Sequence, residues 1–162
     1  MSTTTPLPPA KAVRDLIGSL VGREISVFTG GPMVDPKAEG GALTGVYVDN
    51  RLKLTALVLL DLPLAACLGA SLGLVPARVA REAVEEGYLP ESLSENAGEI
   101  LNVLASLFNV EGAPHIKLDA LYEPRSPLPA DVAQWVLAYV RRTDLEMDVT
   151  GYGGGNFSLL VI

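Results

Sequence analysis

Apolar residues recur along this chain with two periods, one typical of helices and one typical of strands. Apolar residues three or four positions apart predict amphipathic helices over 11–21, 77–86, 91–109 and 130–141. Pro63 in a first turn, with Asp61 as a candidate cap and Gly73 at the end, predicts a further helix over 63–72. Runs rich in β-branched and other apolar residues predict strands over 24–28, 42–49, 52–60, 116–122, 145–150 and 157–162. The order of these elements indicates an α+β fold, an α/β sandwich in which helices pack on a mainly antiparallel sheet.

The same pattern divides the chain into a tail and one domain. Residues 1–10 are rich in threonine and proline and predict a flexible N-terminal tail, which leaves 11–162 as a single domain. A helix, a strand and a glycine/proline break occur over 11–32 and again over 91–124, which indicates an internal duplication of a half-domain. The glycines of 151–155 predict a wide hairpin turn or a bulge, because they lead into a strand and lack the Lys-Ser/Thr that follows the glycines of a phosphate loop.

Composition disfavours several classes of function. The formal net charge is −7, which disfavours nucleic acid or an anionic membrane as the partner. Asp61 and Pro63 interrupt the longest apolar run, so a strand followed by a helix is expected there instead of a membrane span, and the expected location is the cytoplasm. Cys67 and His115 are the only cysteine and histidine, so we expect neither a disulfide nor a thiolate or multi-histidine metal site.

The helix predicted over 91–109 carries the chemistry that the sequence suggests. At 100° per residue its polar residues fall within a stripe about 80° wide. The stripe contains Glu95, Glu99, Asn102, Ser106 and Asn109. The simplest interpretation is an ordinary solvated helix face. The functional interpretation is that an amide and a carboxylate three positions apart act on one target.

A water-positioning site suits these residues better than a general acid/base pair. Paired acid/base carboxylates need a semi-buried environment that shifts a pKa, whereas an exposed acidic face does not provide one. The Asn102 amide can both donate to and accept from a water molecule and so orient it for in-line attack, while Glu99 contacts a cation on another molecule. Such a site would be completed by the electrophile and the metal of a docked partner.

At this point the chain resembles the CheC/CheX/FliY phosphatases of bacterial chemotaxis. Their pattern is Asp or Ser, three residues, Glu, two residues, Asn, twenty-one residues, Pro, and Glu95, Glu99, Asn102 and Pro124 occupy these positions here. Glu95 departs from the usual Asp or Ser. The resemblance covers most of 11–162 and implies a CheC-like fold.

The resemblance also implies an activity. Members of this family hydrolyse the aspartyl phosphate of the response regulator CheY. Carried over to this chain, Glu99 would pair with the conserved lysine of the receiver domain, Asn102 would position the attacking water, and Pro124 would shape the strand end beneath the helix. Mg²⁺ would belong to the receiver domain, and this chain would bind no cofactor. A single motif is nearer the CheX arrangement, which implies a homodimer.

Two alternatives to a phosphatase remain open from the sequence. One is a non-catalytic CheC-like module that binds a receiver domain or a flagellar switch component, which the substitution at Glu95 and the lack of a second motif favour. The other is a small-molecule-binding domain that uses the cleft between the layers.

Overall fold

A six-stranded antiparallel sheet forms the centre of the computed structural model, which describes residues 4–162. Its strands are β1 (Ile25–Thr29), β2 (Ala42–Val48), β3 (Leu54–Asp61), β4 (Lys117–Tyr122), β5 (Arg141–Val149) and β6 (Gly153–Val161). Their order across the sheet is β1-β5-β6-β3-β2-β4, and every neighbouring pair is antiparallel. The expected mainly antiparallel sheet is confirmed.

Helices cover one face of this sheet. They are α1 (Ala10–Val21), α2 (Leu62–Leu72), α3 (Ala77–Glu86) and α4 (Glu91–Leu104), the last continued by a 3-10 turn, Ala105–Leu107. The larger core lies between these helices and the sheet, with Ile17, Leu68 and Ile100 among its fully buried side chains. A smaller core on the opposite face lies beneath the segment that contains Val132 and Val136. The chain is therefore an α/β sandwich, as expected.

The strand order confirms the expected duplication. Exchanging β1, β2 and β3 for β4, β5 and β6 gives the same order read from the other edge. Each half begins with a helix, α1 or α4, and continues into an edge strand, β1 or β4. The two halves meet at the β3–β6 pair, so α1 and α4 hold equivalent positions in the two halves.

The prediction of a helix over 130–141 is wrong after the first helical turn. Only α5 (Ala130–Ala133) forms, and β5 already begins at Arg141. The physical reason is Arg142, whose guanidinium is almost fully buried against the Asp144 carboxylate and donates to the carbonyls of Val136 and Ala138. These bonds satisfy carbonyls that a longer helix would have used internally, and they fix the segment over the sheet.

The glycines of 151–155 also behave differently from the prediction. The turn is short, with the Tyr152 N–H donating to the Val149 carbonyl, and β6 starts at Gly153. A Cβ at Gly154 would overlap the Met147 carbonyl oxygen of the neighbouring strand. The glycines therefore belong to the strand, where they allow the backbones to approach closely.

The predicted N-terminal tail begins outside the described residues, which exclude 1–3. Within the described part, Thr5 is buried and its carbonyl accepts a hydrogen bond from the Arg141 guanidinium, 2.9 Å away. Leu7 packs against the larger core. The stretch from Thr5 to Leu7 thus contacts the domain directly.

Candidate functional site

The helix α4 presents the predicted polar residues to solvent. Pro90 precedes its first turn, and Leu93, Ala97, Ile100, Leu101 and Leu104 bury its inner side. Glu95, Glu99 and Asn102, at relative positions i, i+4 and i+7, are exposed on the outer side. Side chains three or four residues apart on a helix lie about 5–6 Å from each other at Cβ, so these three form one continuous surface.

The polar stripe is shorter than predicted because α4 ends at Leu104. Asn109, which periodicity placed on the stripe, instead hydrogen-bonds the backbone of Ile116, the residue just before β4. Its Nδ2 donates to the Ile116 carbonyl at 2.9 Å, and its Oδ1 accepts from the Ile116 N–H at 2.7 Å. Asn109 is therefore a structural residue, and the stripe is reduced to its first three members, with Ser106 exposed in the 3-10 turn.

Glu99 and Asn102 are free to contact another molecule. Within residues 4–162 neither side chain forms a hydrogen bond or an ion pair with the rest of the chain, and the same is true of Glu95. This distinguishes the face from that of α3, where Arg78 and Glu82 form an i,i+4 pair. Unpaired carboxylates and an unpaired amide on a rigid helix are suited to binding a cation and a water molecule.

The buried side of α4 is attached to β4 through Ser94. This side chain, 4% exposed, donates to the carboxylate of Glu123, with oxygen–oxygen distances of 2.5 and 2.7 Å. Hydrogen bonds from a hydroxyl to a carboxylate are short and stronger than neutral ones. Glu123 directly follows the last residue of β4 and directly precedes Pro124, so this bond joins the motif helix to the motif proline.

A second attachment joins α4 to β2. The hydroxyl of Tyr47, which is fully buried, donates to the Leu101 carbonyl in the last turn of α4. Carbonyls of the last helical turn lack intrahelical partners, so the tyrosine satisfies one of them. Burial raises the pKa of Tyr47 far above its usual value, so the hydroxyl remains a neutral donor.

Two glycines lie at the close contacts between these two attachments. The ideal Cβ of Gly98 would lie 2.8 Å from Leu121 Cδ1 on β4, and the ideal Cβ of Gly45 on β2 would lie 3.2 Å from Leu101 Cδ1. A bulge in β4, where pairing slips between Ala120 and Leu118, brings Leu118 and Leu121 to the same helical side of the sheet. The helix therefore lies directly against the two strands.

Pro124 is half-buried and packs on a strand start, not on the polar face. The ideal Cβ of Gly41, a residue at φ +69°, would lie 3.2 Å from Pro124 Cα. Its contacts are thus structural and involve the backbone where β2 begins.

The equivalent helix α1 lacks the motif. Gly18 corresponds to Gly98, because each glycine lies against the edge strand of its own half: Gly18 is close to Ile25 of β1, and Gly98 is close to Leu121 of β4. The positions equivalent to Glu95, Glu99 and Asn102 are then Asp15, Ser19 and Gly22. Neither the glutamate nor the asparagine is present, so one half alone carries a candidate site.

Three residues of this site escaped sequence reasoning: Tyr47, Ser94 and Glu123. Their partners are 54 and 29 positions away along the chain. Periodicity reports only which face is apolar, so no local signal marks them. Glu123 is the residue directly before Pro124, the last position of the motif, and this is the one sequence signal near it.

Surface cavities of the described residues lie outside the polar stripe. One, of about 760 Å³, is lined by residues from 35–40 and 125–137 on the face of the sheet opposite α4. Another, of about 370 Å³, lies at the start of α4 and is lined by Glu91, Glu123 and Pro124 among others. No group of three or more His, Cys, Asp or Glu side chains within 4–162 could hold a metal ion.

Comparisons with known proteins identify the fold. No protein-family profile matches the chain, and no curated protein matches its sequence. Among solved structures, the FliM middle domain from H. pylori is similar at a TM-score of 0.59 and 10% identity, with 94% of this chain and 84% of that chain covered. CheX from Vibrio vulnificus is similar at a TM-score of 0.52 and 11% identity, with 94% and 95% covered.

A third structure, a CheX–CheY–BeF3–Mg+2 complex from Borrelia burgdorferi, is similar at a TM-score of 0.50 and 10% identity, with 93% of each chain covered. No helix among the described residues is long and apolar enough to cross a membrane. At these identities the similarity establishes architecture only. The chain therefore has the fold shared by CheX and the FliM middle domain.

Proposed function

We propose that this protein dephosphorylates the aspartyl phosphate of a CheY-like receiver domain. The observation that carries the proposal is the exposed, unpaired Glu99 and Asn102, three residues apart on a helix held against the sheet at both ends. The fold similarity to a CheX that was crystallised with CheY supports the choice of partner.

In the proposed mechanism, each side chain has a separate role. Asn102 enters the receiver's phosphorylation site, where its Oδ1 accepts a hydrogen bond from a water molecule and holds the water oxygen in line with the phosphorus–oxygen bond that breaks. Glu99 pairs with the receiver's conserved lysine and so fixes the docking geometry. The water attacks phosphorus, inorganic phosphate leaves, and the aspartate carboxylate of the receiver is regenerated.

The metal in this scheme belongs to the partner. Mg²⁺ on the receiver domain neutralises the phosphoryl oxygens, while this chain supplies only the water-positioning amide and the docking carboxylate. Glu95 lies one turn before Glu99 on the same face and would contact the rim of the docked receiver. Pro124 packs on the backbone where β2 begins and directly follows Glu123, the residue that holds Ser94 of α4. The proposal places the protein in the cytoplasm, where its partner is found.

The decay rate of a phosphorylated CheY receiver tests this proposal. We expect Asn102→Ala to slow the catalysed decay about 100-fold, because the water loses its orienting group. Glu99→Ala should raise the KM about tenfold through loss of a charge-assisted contact. Asp15→Ala is the control, since it removes an exposed carboxylate from α1 at the position equivalent to Glu95, and it should retain the wild-type rate. Wild-type decay in the Asn102 and Glu99 variants would refute the mechanism.

A second candidate function is a non-catalytic module that binds a receiver domain or a flagellar switch component. The fold similarity to the FliM middle domain favours it. A stable complex with unchanged phosphate loss would support this alternative over the phosphatase. We also propose that the protein forms a homodimer, because a single motif per chain resembles the CheX arrangement. Light scattering coupled to size-exclusion chromatography tests this through the mass of the particle in solution.

A further inference from the structure

Two hydrogen bonds hold the two halves of the motif helix against different strands. The N-terminal bond runs from Ser94 to Glu123, at the end of β4. The C-terminal bond runs from Tyr47, on β2, to the Leu101 carbonyl. Both donor side chains are buried, with exposures of 4% and 0%.

We propose that these bonds position the two functional side chains separately: Tyr47 positions Asn102, and the Ser94–Glu123 pair positions Glu95 and Glu99. This inference rests on the proposed function and adds three positioning residues to it. None of the three needs to touch the receiver. Each acts through the backbone of α4.

The C-terminal bond acts on the peptide group of Asn102 itself. The Leu101 carbonyl and the Asn102 nitrogen belong to one planar peptide unit. Holding that carbonyl therefore fixes the direction in which the Asn102 side chain leaves the helix. The bond lies just before α4 tightens into its 3-10 turn at Ala105, where the helical hydrogen-bond pattern changes and is most easily deformed.

The N-terminal bond acts on the docking residues. Ser94 directly precedes Glu95 and lies five residues before Glu99, but eight residues before Asn102. At 1.5 Å per residue, those separations from Ser94 are about 8 Å for Glu99 and about 12 Å for Asn102 along the helix axis. We therefore expect a displacement at one bond to be largest at its own end of the helix and smaller at the other end.

This arrangement predicts a division between the two kinetic constants. Losing the Tyr47 hydroxyl should lower kcat, because the water is held less well in line, while docking is retained. Losing the Ser94 hydroxyl should raise KM, because the docking carboxylates shift, while the rate in the bound complex is retained. Displacements well under 1 Å are expected to change the affected constant about tenfold.

The experiment measures both constants for Tyr47→Phe, Ser94→Ala and Glu123→Ala on a CheY receiver domain kept phosphorylated by acetyl phosphate. We expect Tyr47→Phe to lower kcat about tenfold with KM within about twofold, and the other two to show the reverse. Ser94→Thr keeps the hydroxyl and should recover the wild-type KM. The same variants, without receiver, are followed by amide hydrogen exchange along α4.

The outcomes separate this inference from the proposed function. If the wild type accelerates decay but Tyr47→Phe and Ser94→Ala change kcat and KM in parallel, or not at all, the inference is overturned and the phosphatase stands. If the wild type does not accelerate decay, the proposed function fails. Hydrogen exchange then decides the anchoring: faster exchange confined to the end of α4 nearest the deleted bond supports it, and uniform exchange overturns it.

Discussion

Gly69→Ala is expected to destabilise the fold even though alanine is the better helix former. Gly69 lies inside α2, where it faces the first turn of α4. A Cβ at this position would overlap the Leu93 carbonyl oxygen and lie 3.0 Å from Leu93 Cα. Both of these are backbone atoms of α4, so the contact can be relieved only by moving one helix away from the other.

The magnitude follows from three opposing terms. Alanine gains about 1 kcal/mol over glycine in a helix interior. Overpacking against a rigid neighbour costs about 3 kcal/mol. Separating the helices also weakens the hydrogen bond from Asn96 to the Gly69 carbonyl, 3.0 Å long, which contributes about 1 kcal/mol. The free energy of unfolding should therefore fall by about 3 kcal/mol.

Gly98→Ala provides the matched comparison. It gains the same helix propensity, but its Cβ would meet only the end of the Leu121 side chain, which is 41% exposed and has room to rotate. Its free energy of unfolding should stay within about 1 kcal/mol of the wild type. Urea unfolding followed by circular dichroism measures both variants. A Gly69→Ala protein as stable as Gly98→Ala would refute the claim that α2 and α4 meet backbone to backbone.

Three further predictions concern charge and burial. Replacing Arg142 with Met should lower the free energy of unfolding by about 3 kcal/mol, measured by urea unfolding, because the nearly buried Asp144 carboxylate loses its cationic partner and keeps, among residues 4–162, only the hydrogen bond from Ser158. Burial raises the pKa of the Asp61 carboxyl, although hydrogen bonds from the Leu64 and Asn156 N–H groups oppose the shift. The folded state therefore binds the Asp61 proton more tightly than the unfolded state does. As pH rises above 3.8, loss of this proton lowers the stability of the folded state. The stability of Asp61→Asn relative to wild type should accordingly increase with pH between 3.5 and 7 in urea titrations, and a constant difference would contradict this. Burial, with smaller effects of Asp148 and Asp61, raises the pKa of Cys67 to about 11 from 9.0, so iodoacetamide at pH 8 should alkylate the native thiol about 100-fold more slowly than the urea-unfolded one.

Periodicity predicted the motif helix well because both of its faces are regular. The apolar residues Leu93, Ile100 and Leu104 are fully buried, and Glu99 and Asn102 are exposed opposite them. Spacing along one helix is a local property, which the sequence displays directly. The alternating order of helices and strands likewise predicted the sandwich and its duplicated halves.

Long-range hydrogen bonds explain where the sequence was misleading. Apolar spacing over 130–141 is compatible with a helix, yet Arg142 draws the carbonyls of Val136 and Ala138 to its guanidinium. Tyr47 and Ser94 look like ordinary strand and helix residues until the packing of α4 on β2 and β4 is known. Side chains that hydrogen-bond across the fold leave no local pattern in the sequence, so their roles are visible only in the folded structure.

The central claim is that Asn102 acts on the water and not on docking. It is tested most directly by measuring, for Asn102→Ala, receiver affinity and phosphate loss in the same preparation. The affinity is measured on the receiver bound to BeF3, and the decay on the phosphorylated receiver at saturating protein. We predict a Kd within about twofold of the wild type together with catalysed decay about 100-fold slower than with the wild type. Wild-type acceleration by this variant, or a loss of binding as large as the loss of rate, would contradict the account.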